Sequence, residues 1–346
     1  MSQHEIVSPR QLLDSEGKIT EEGWARKPYW KYERSRIAAP PWRIKEWDYY
    51  AIFSGDNQSW LCLTISDLGY LGMAALAWVD IASGKAYQDS ELSFFPMGKY
   101  EFPSSSDRGD VRHRGSKLEL SFSVSGSERL LEARAPSFPA PGGARGLEVR
   151  IELGEIPGSD TMNIATSWKE NRKAFYYNTK RNCLPASGWA RLGEREYSFA
   201  PSEASACLDW GRGVWTYKNR WYWGSASGFL DGVPFGWNIG YGFSDRSPAS
   251  ENLVFYDGRA HKLDDVVFHL NPDDYLAPWS FTSSDGRFEL EFKPVVDRAS
   301  TTNLVFLKSI QHQVFGRFSG RVVLDGGKAL DIVDFPGFAE DVLNWW

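Results

Sequence analysis

Two carboxylates, Glu46 and Asp48, stand two residues apart in the stretch WRIKEWDYY at positions 42–50. In an extended strand, alternate residues face opposite sides. Both acids therefore share a face with Trp42, Ile44 and Tyr50, while Arg43, Lys45, Trp47 and Tyr49 share the other. Neighbouring carboxylates compete for ionisation, and the one pushed toward neutrality suits general-acid chemistry. A third acid, Asp67, ends the apolar row Leu61, Leu63, Ile65 in LCLTISD. A carboxylate in that place sits at a rim or needs a buried partner. A fourth, Asp209, opens DWGRGVWTYKNRWYWGSASG, with Arg212 three residues on. Glu46, Asp48, Asp67 and Asp209 are thus the candidate catalytic acids or bases, and Arg212 their electrostatic partner. The competing reading pairs each acid with an arginine, such as Arg212 or Arg298, in a network that perturbs ionisation without catalysis.

Aromatic residues accompany these charges. The 209–228 stretch predicts a hairpin with its tip at Lys218, Asn219 and Arg220. Trp215 then opposes Trp223, and Tyr217 opposes Trp221, stacking four rings on one side. Asp209 is in phase with them if Gly211 and Gly213 introduce no bulge. Such a stack is either a core ladder or the wall of a ligand cavity. Downstream, Trp237 and Tyr241 lie among Gly236, Gly240 and Gly242, which permit close approach of backbone or ligand. The candidate ligand-binding set is Trp47, Tyr49, Trp215, Tyr217, Trp221, Trp223, Trp237 and Tyr241. His261 near Asp264 is a further acid–base pair or a satisfied surface histidine.

The elements that must position these residues follow a period of two. KLELSFSV sets Leu118, Leu120, Phe122 and Val124 against Glu119, Ser121 and Ser123, and GLEVRIEL and GRFELEFK repeat the pattern. Turn signals separate the strands at ASGK, YDGR, SSDGR and DGGK. No long segment has a helical period, although the closing AEDVLNWW could hold one short turn. RGD at 108–110 reads as a turn. The chain is therefore expected to be all-β, built as barrels or sandwiches. GWAR occurs at 23–26 and again at 188–191, each copy leading toward an aromatic and charged strand. This is the pattern of two related β domains, 1–185 and 186–346, divided where Pro185 and small residues break the alternation.

The net charge of −6 is spread along the chain with no basic stripe, which argues against nucleic acid and anionic membranes as partners. Three separated cysteines form neither a disulfide framework nor a zinc pattern. HExxH, Walker, GxGxxG and nucleophile-elbow motifs are missing, so no metal and no cofactor is expected. The segment MSQHEIVSPRQLLD lacks the apolar centre of a signal peptide, and the apolar run at 71–79 is too short to span a bilayer. A cytoplasmic protein is expected.

GWARKPYWKYER, RIKEWDYY, TISDLGY, LDWGRGVWTY, WYWGSASG, NIGYGFSDRSPASENLVFYDGRAHKLD, SSDGRFELEFKPVVDR and GFAED, in that order from Gly23 to the end, resemble the bacterial domain-of-unknown-function 2804 family. Glu33 departs from the family pattern, where Asn follows Tyr. The family is similar in turn to tandem lipocalin-like proteins, including carotenoid hydratases and fungal cyclase-type enzymes. That resemblance implies two consecutive antiparallel lipocalin-like β-barrel domains, with an apolar ligand held in or between them, and it transfers no catalytic residues. Three functions stay open. The first is binding of a bulky, partly apolar or amphipathic small molecule in an aromatic-lined cavity. The second is a cofactor-free hydratase, isomerase or cyclase acting on an isoprenoid- or lipid-like substrate. The third is a carbohydrate-active or carbohydrate-binding protein, for which paired carboxylates also suit.

Overall fold

The computed structural model describes residues 3–304 and 307–345. Alternating strands build two antiparallel sheets, each curled into a lipocalin-like barrel. The first sheet has 13 strands. Its main path runs through Lys85–Phe94, Leu71–Asp80, Ser59–Asp67, Ile44–Ser54, Ala204–Val214, Asn171–Leu192, Arg145–Leu153, Glu128–Pro139, Glu119–Ser125 and Arg108–Arg114. The second has nine strands, in the order Arg259–Lys262, Leu253–Tyr256, Val233–Tyr241, Lys218–Leu230, Ala329–Trp345, Leu307–Val323, Phe288–Leu304, Trp279–Ser283 and Val266–His269. No helix among the described residues is long and apolar enough to cross a membrane.

Ile44–Ser54 shows no clean apolar face because both of its faces are inside. Tyr50 and Ile52 point into the first barrel with Leu61, Leu63, Ile65 and Phe122. Tyr49, Ala51 and Phe53 point the other way, against Val296, Phe315 and Phe338 of the second sheet. The two barrels are thus packed sheet on sheet.

The second barrel has its own core around Trp237, which is fully buried and touches the rings of Phe235, Phe288, Phe318 and Phe335. An aromatic side chain buries roughly 150–250 Å², worth up to ~5 kcal/mol at about 25 cal/mol per Å². Trp237 is therefore a structural residue and not a cavity wall. Tyr241 belongs to the same barrel, stacked on Tyr222 with ring centroids 4.8 Å apart.

Several local expectations fail for reasons of long-range pairing. The 209–228 stretch is not a hairpin. Ala204–Val214 pairs with Ile44–Ser54 and Asn171–Leu192, whereas Lys218–Leu230 pairs with Val233–Tyr241 and Ala329–Trp345. The segment between them carries the chain from one sheet to the other. The division expected at 185/186 falls inside Asn171–Leu192, where Pro185 follows a bulge with Cys183 at φ 58°. That strand continues in the first sheet, which extends to Val214, and the second sheet begins at Lys218. Both GWAR copies lie in the first sheet, so the short repeat does not mark corresponding places in the two barrels. The closing residues are strand and not helix, because Ala329–Trp345 is paired on both sides. RGD opens the strand Arg108–Arg114.

Replacing Trp237 by Ala leaves a ring-sized void among four phenylalanines. Urea unfolding is expected to show a loss of about 3–5 kcal/mol. A loss under 1 kcal/mol would contradict the packing described.

Candidate functional site

The two sheets meet tightly at one end and part at the other, enclosing an open-mouthed cavity of about 440 Å³. Strand register explains its lining, since residues in line across a sheet point the same way. One row of the first sheet is Lys180, Asp209, Tyr49, Thr64, Ala75 and Ser90. The next is Asn178, Gly211, Trp47, Ser66, Met73 and Leu92. The facing row of the second sheet is Arg298, Gln313, Glu340, Trp223 and Gly240. Beside it run Ser300, Gln311, Val342 and Trp221. Rows of this kind place charged and aromatic side chains around one space.

Two glycines make room for the larger groups. A Cβ on Gly211 would come within 2.1 Å of the Trp47 ring, so the indole lies across bare backbone. A Cβ on Gly240 would meet Glu251 Oε1 at 2.2 Å, so the carboxyl reaches the cavity over that residue. Trp215 is the hub of the aromatic wall. It contacts Trp47 at 5.7 Å, Trp221 at 5.3 Å and Tyr176 at 5.7 Å, and stacks on Phe243 at 5.4 Å.

The polar groups form two sets. Lys180 Nζ forms an ion pair with Asp209 Oδ2 at 2.9 Å and lies 3.8 Å over the Trp223 ring. Asn178 Nδ2 donates to Asp209 Oδ1 at 2.5 Å. Opposite, Glu340 accepts from Trp221 Nε1 at 3.1 Å and from Gln313 Nε2 at 3.2 Å. Gln313 also donates to the Tyr49 hydroxyl at 3.1 Å. Glu340 is enclosed by protein apart from the cavity itself, and this burial raises its pKa to about 7. Glu251, buried with the Tyr176 hydroxyl 3.4 Å away, is likewise raised by burial. A carboxyl that is half protonated near neutrality can give a proton to an alkene or carbonyl, and the indole faces stabilise positive charge that then develops. Among the described residues no three His, Cys, Asp or Glu side chains converge as a metal set would.

Six of the thirteen residues singled out from sequence line this cavity: Trp47, Tyr49, Asp209, Trp215, Trp221 and Trp223. The other seven lie elsewhere. Glu46 and Asp48 point into the first barrel. Glu46 accepts from the Tyr32 hydroxyl at 2.8 Å and pairs with Arg34, while Asp48 accepts from Arg212 Nη1 at 2.9 Å. Arg212 is fully buried, stacked 3.8 Å from the Trp210 ring, and also donates to the carbonyls of Trp47 and Gly211 at 2.8 and 2.9 Å. These three residues form the structural network, which removes the paired-carboxylate motif from the cavity. Burial raises the Asp48 carboxyl and the Arg212 charge opposes that rise. Asp67 accepts from the backbone N–H groups of Gly69 at 2.8 Å and Gly98 at 2.6 Å, tying two loops together. Tyr217 is 46% exposed, because the inter-sheet crossing turns it outward. Trp237 and Tyr241 fill the second barrel. His261 lies 3.4 Å from Asp325, far along the chain from Asp264, and contributes nothing to the cavity.

Lys180, Glu251, Glu340, Gln313, Tyr176 and Phe243 were not singled out from sequence, yet all line the cavity. One signal was available for Glu340: a charge inside the apolar closing run GFAEDVL. Arg298 lines the same space.

Two lipocalin-like barrels in tandem, with a tryptophan-walled, acid-bearing cavity between them, define the class of protein. The chain belongs to the DUF2804 family, a domain of unknown function, whose model matches residues 3–346. No curated protein matches its sequence. Among solved structures, CghA with Sch210972 is similar at TM-score 0.53 and 12% identity, covering 88% of each chain. A Nitrosomonas europaea protein provisionally assigned as AttH gives TM-score 0.47 at 14% identity, over 91% of this chain and 98% of that one. Kievitone hydratase from Nectria haematococca gives 0.46 at 12%, over 87% and 88%. At these identities the CghA likeness is one of fold.

Two outcomes check the electrostatics. Arg212→Ala leaves the buried Asp48 carboxylate without its ion-pair partner and should cost about 3–5 kcal/mol in urea unfolding. Glu340 keeps its proton in the folded chain up to about pH 7 but loses it near the ordinary 4.5 when unfolded. Its contribution to stability therefore falls as pH rises through that window and levels off above it. The stability of Glu340→Gln relative to wild type should be higher at pH 8 than at pH 5. A pH-independent difference would mean that the carboxyl is not held protonated.

Proposed function

We propose that the cavity binds a bulky, partly apolar small molecule and carries out acid–base chemistry on it, a hydration, isomerisation or cyclisation. Glu340 is the general acid in this reading. Asp209, fixed by Lys180 and Asn178, is the counter-charge or base. Trp47, Trp215, Trp221 and Trp223 hold the apolar body of the ligand. The single observation that carries the proposal is the Glu340 carboxyl, raised to about pH 7 within an aromatic cavity. Ligand pockets are mostly apolar and aromatic with a few placed polar groups, and this cavity has that composition. The CghA structure of the same fold was determined with Sch210972, which accords with a ligand role for the fold. We place the activity in the cytoplasm, in keeping with three free, buried thiols at Cys62, Cys183 and Cys207.

The test is a metabolite pull-down on the full chain, read by native mass spectrometry and tryptophan fluorescence, followed by turnover of whatever is retained. Glu340→Gln should keep the ligand and lose roughly 10²- to 10⁴-fold in rate. A protein that retains no small molecule and shows no fluorescence change across an isoprenoid and lipid panel would end the proposal. Retention without turnover, equal in wild type and Glu340→Gln, would reduce it to binding alone.

A further inference from the structure

Arg298 differs from the other enclosed arginines. Arg212, Arg129 and Arg181 each have a carboxylate partner. Arg298 lines the cavity near its mouth and, among the described residues, has no carboxylate within the 4.0 Å ion-pair distance. Its Nη2 donates to Gln313 Oε1 at 2.6 Å, and its buried Nε has no hydrogen-bond partner. A guanidinium cannot shed its charge, so the cavity wall carries a permanent cation with donors left over.

The neighbour that touches it is itself fixed. Gln313 accepts from Arg298 with its oxygen, while its nitrogen donates to Glu340 and to the Tyr49 hydroxyl. This pattern orients the amide one way and points the guanidinium at the space in front of the row. Ser300 and Gln311 on the adjacent row are at least partly exposed, so Arg298 stands at the wet end of the cavity. Glu340 and Trp223 lie two and three strands further along the same row, and Trp223 is buried.

We propose that Arg298, oriented by Gln313, is the anion-recognition point of the cavity, and that the ligand is an amphipathic monocarboxylate. Its acid group seats on the guanidinium and its apolar body runs inward along the tryptophans toward Glu340. The proposal rests on the reading of the cavity as a ligand site. A guanidinium fork matches the plane of a carboxylate and satisfies both oxygens. A phosphate monoester would also match the fork. It would bring up to two negative charges into a space already lined by Asp209, Glu251 and Glu340, and like charges at close range are unfavourable. Neighbouring strands lie about 4.8 Å apart, so the backbones of Arg298 and Glu340 are roughly 10 Å apart. That separation keeps the acid group of the ligand in water-accessible surroundings while a distant carbon reaches the proton donor.

The experiment titrates the tryptophan fluorescence of the full chain with geranoate, geraniol and geranyl monophosphate, and with dodecanoate and 1-dodecanol as an unbranched pair. The acids should bind at least 10-fold more tightly than the matched alcohols. Arg298→Met should weaken the acids by roughly 10- to 100-fold, as loss of a charge-assisted hydrogen bond does, and leave the alcohols unchanged. Arg298→Lys, which keeps the charge without the fork, should restore part of the acid preference and guards against a folding defect in the first variant. Equal binding of acids and alcohols, unaffected by Arg298→Met, would overturn the inference and leave the cavity reading intact. So would equal loss of both classes in that variant, because Arg298 would then be structural. Tighter binding of the phosphate than of the acid would overturn the monocarboxylate assignment. Absence of any response from wild type would overturn this inference together with the proposed function.

Discussion

Burial of one strand on both faces organises this molecule. Ile44–Ser54 is shared between the interior of the first barrel and the surface on which the second barrel rests. No position along it has bulk water as its default solvent. Each charge it carries must therefore find a partner in protein. Glu46 and Asp48 find Tyr32, Arg34 and Arg212 on the barrel side. On the other side Lys45 reaches the carbonyl of Leu68. The mixture of rings and charges that looks unruly in one dimension is the requirement of two interiors meeting on one strand.

The same constraint separates structural from functional charge. Inside the first barrel the acids are saturated: Arg212 bridges the pair and stacks on Trp210, leaving no open face for a ligand. Between the barrels the pairing is looser. Asp209 has Lys180, but Glu340 is held by an indole and an amide, and Arg298, among the described residues, by that amide. Neutral partners do not cancel charge as an ion would, so burial raises Glu340 toward neutrality. Looser pairing of charge in an enclosed space is the physical reason for assigning the proposed chemistry to the inter-barrel cavity and not to the tighter cluster in the barrel.

The shape of the cavity follows from where the sheets touch. Val296, Phe315 and Phe338 press on Tyr49, Phe53 and Trp60 and seal one end. Two residues along the same strands the lining turns polar, at Arg298, Gln313 and Glu340, and the sheets part. On the first sheet the row through Trp47, Ser66 and Met73 ends on the half-exposed Leu92, so the cavity wall grades into an apolar lip at the sheet edge.

The sequence by itself determined the all-β class, the turn positions and the parity of each strand. These depend on alternation and on Gly, Asn and Asp in turns, which act over a few residues. It also marked Asp209, Trp215, Trp221 and Trp223 as residues in one phase, and Trp47 and Tyr49 as sharing one face of their own strand. It could not tell which phase faced a ligand, because period two names the faces without saying what covers them. Glu46, Asp48 and Arg212 carried the stronger local signal and proved structural, and Glu340 and Lys180 carried little and line the cavity. Only the tertiary structure decided this. The row Arg298, Gln313, Glu340, Trp223 joins three consecutive strands to the distant Lys218–Leu230, and burial, which sets the proton affinity of Glu340, exists only once the two barrels have closed on one another.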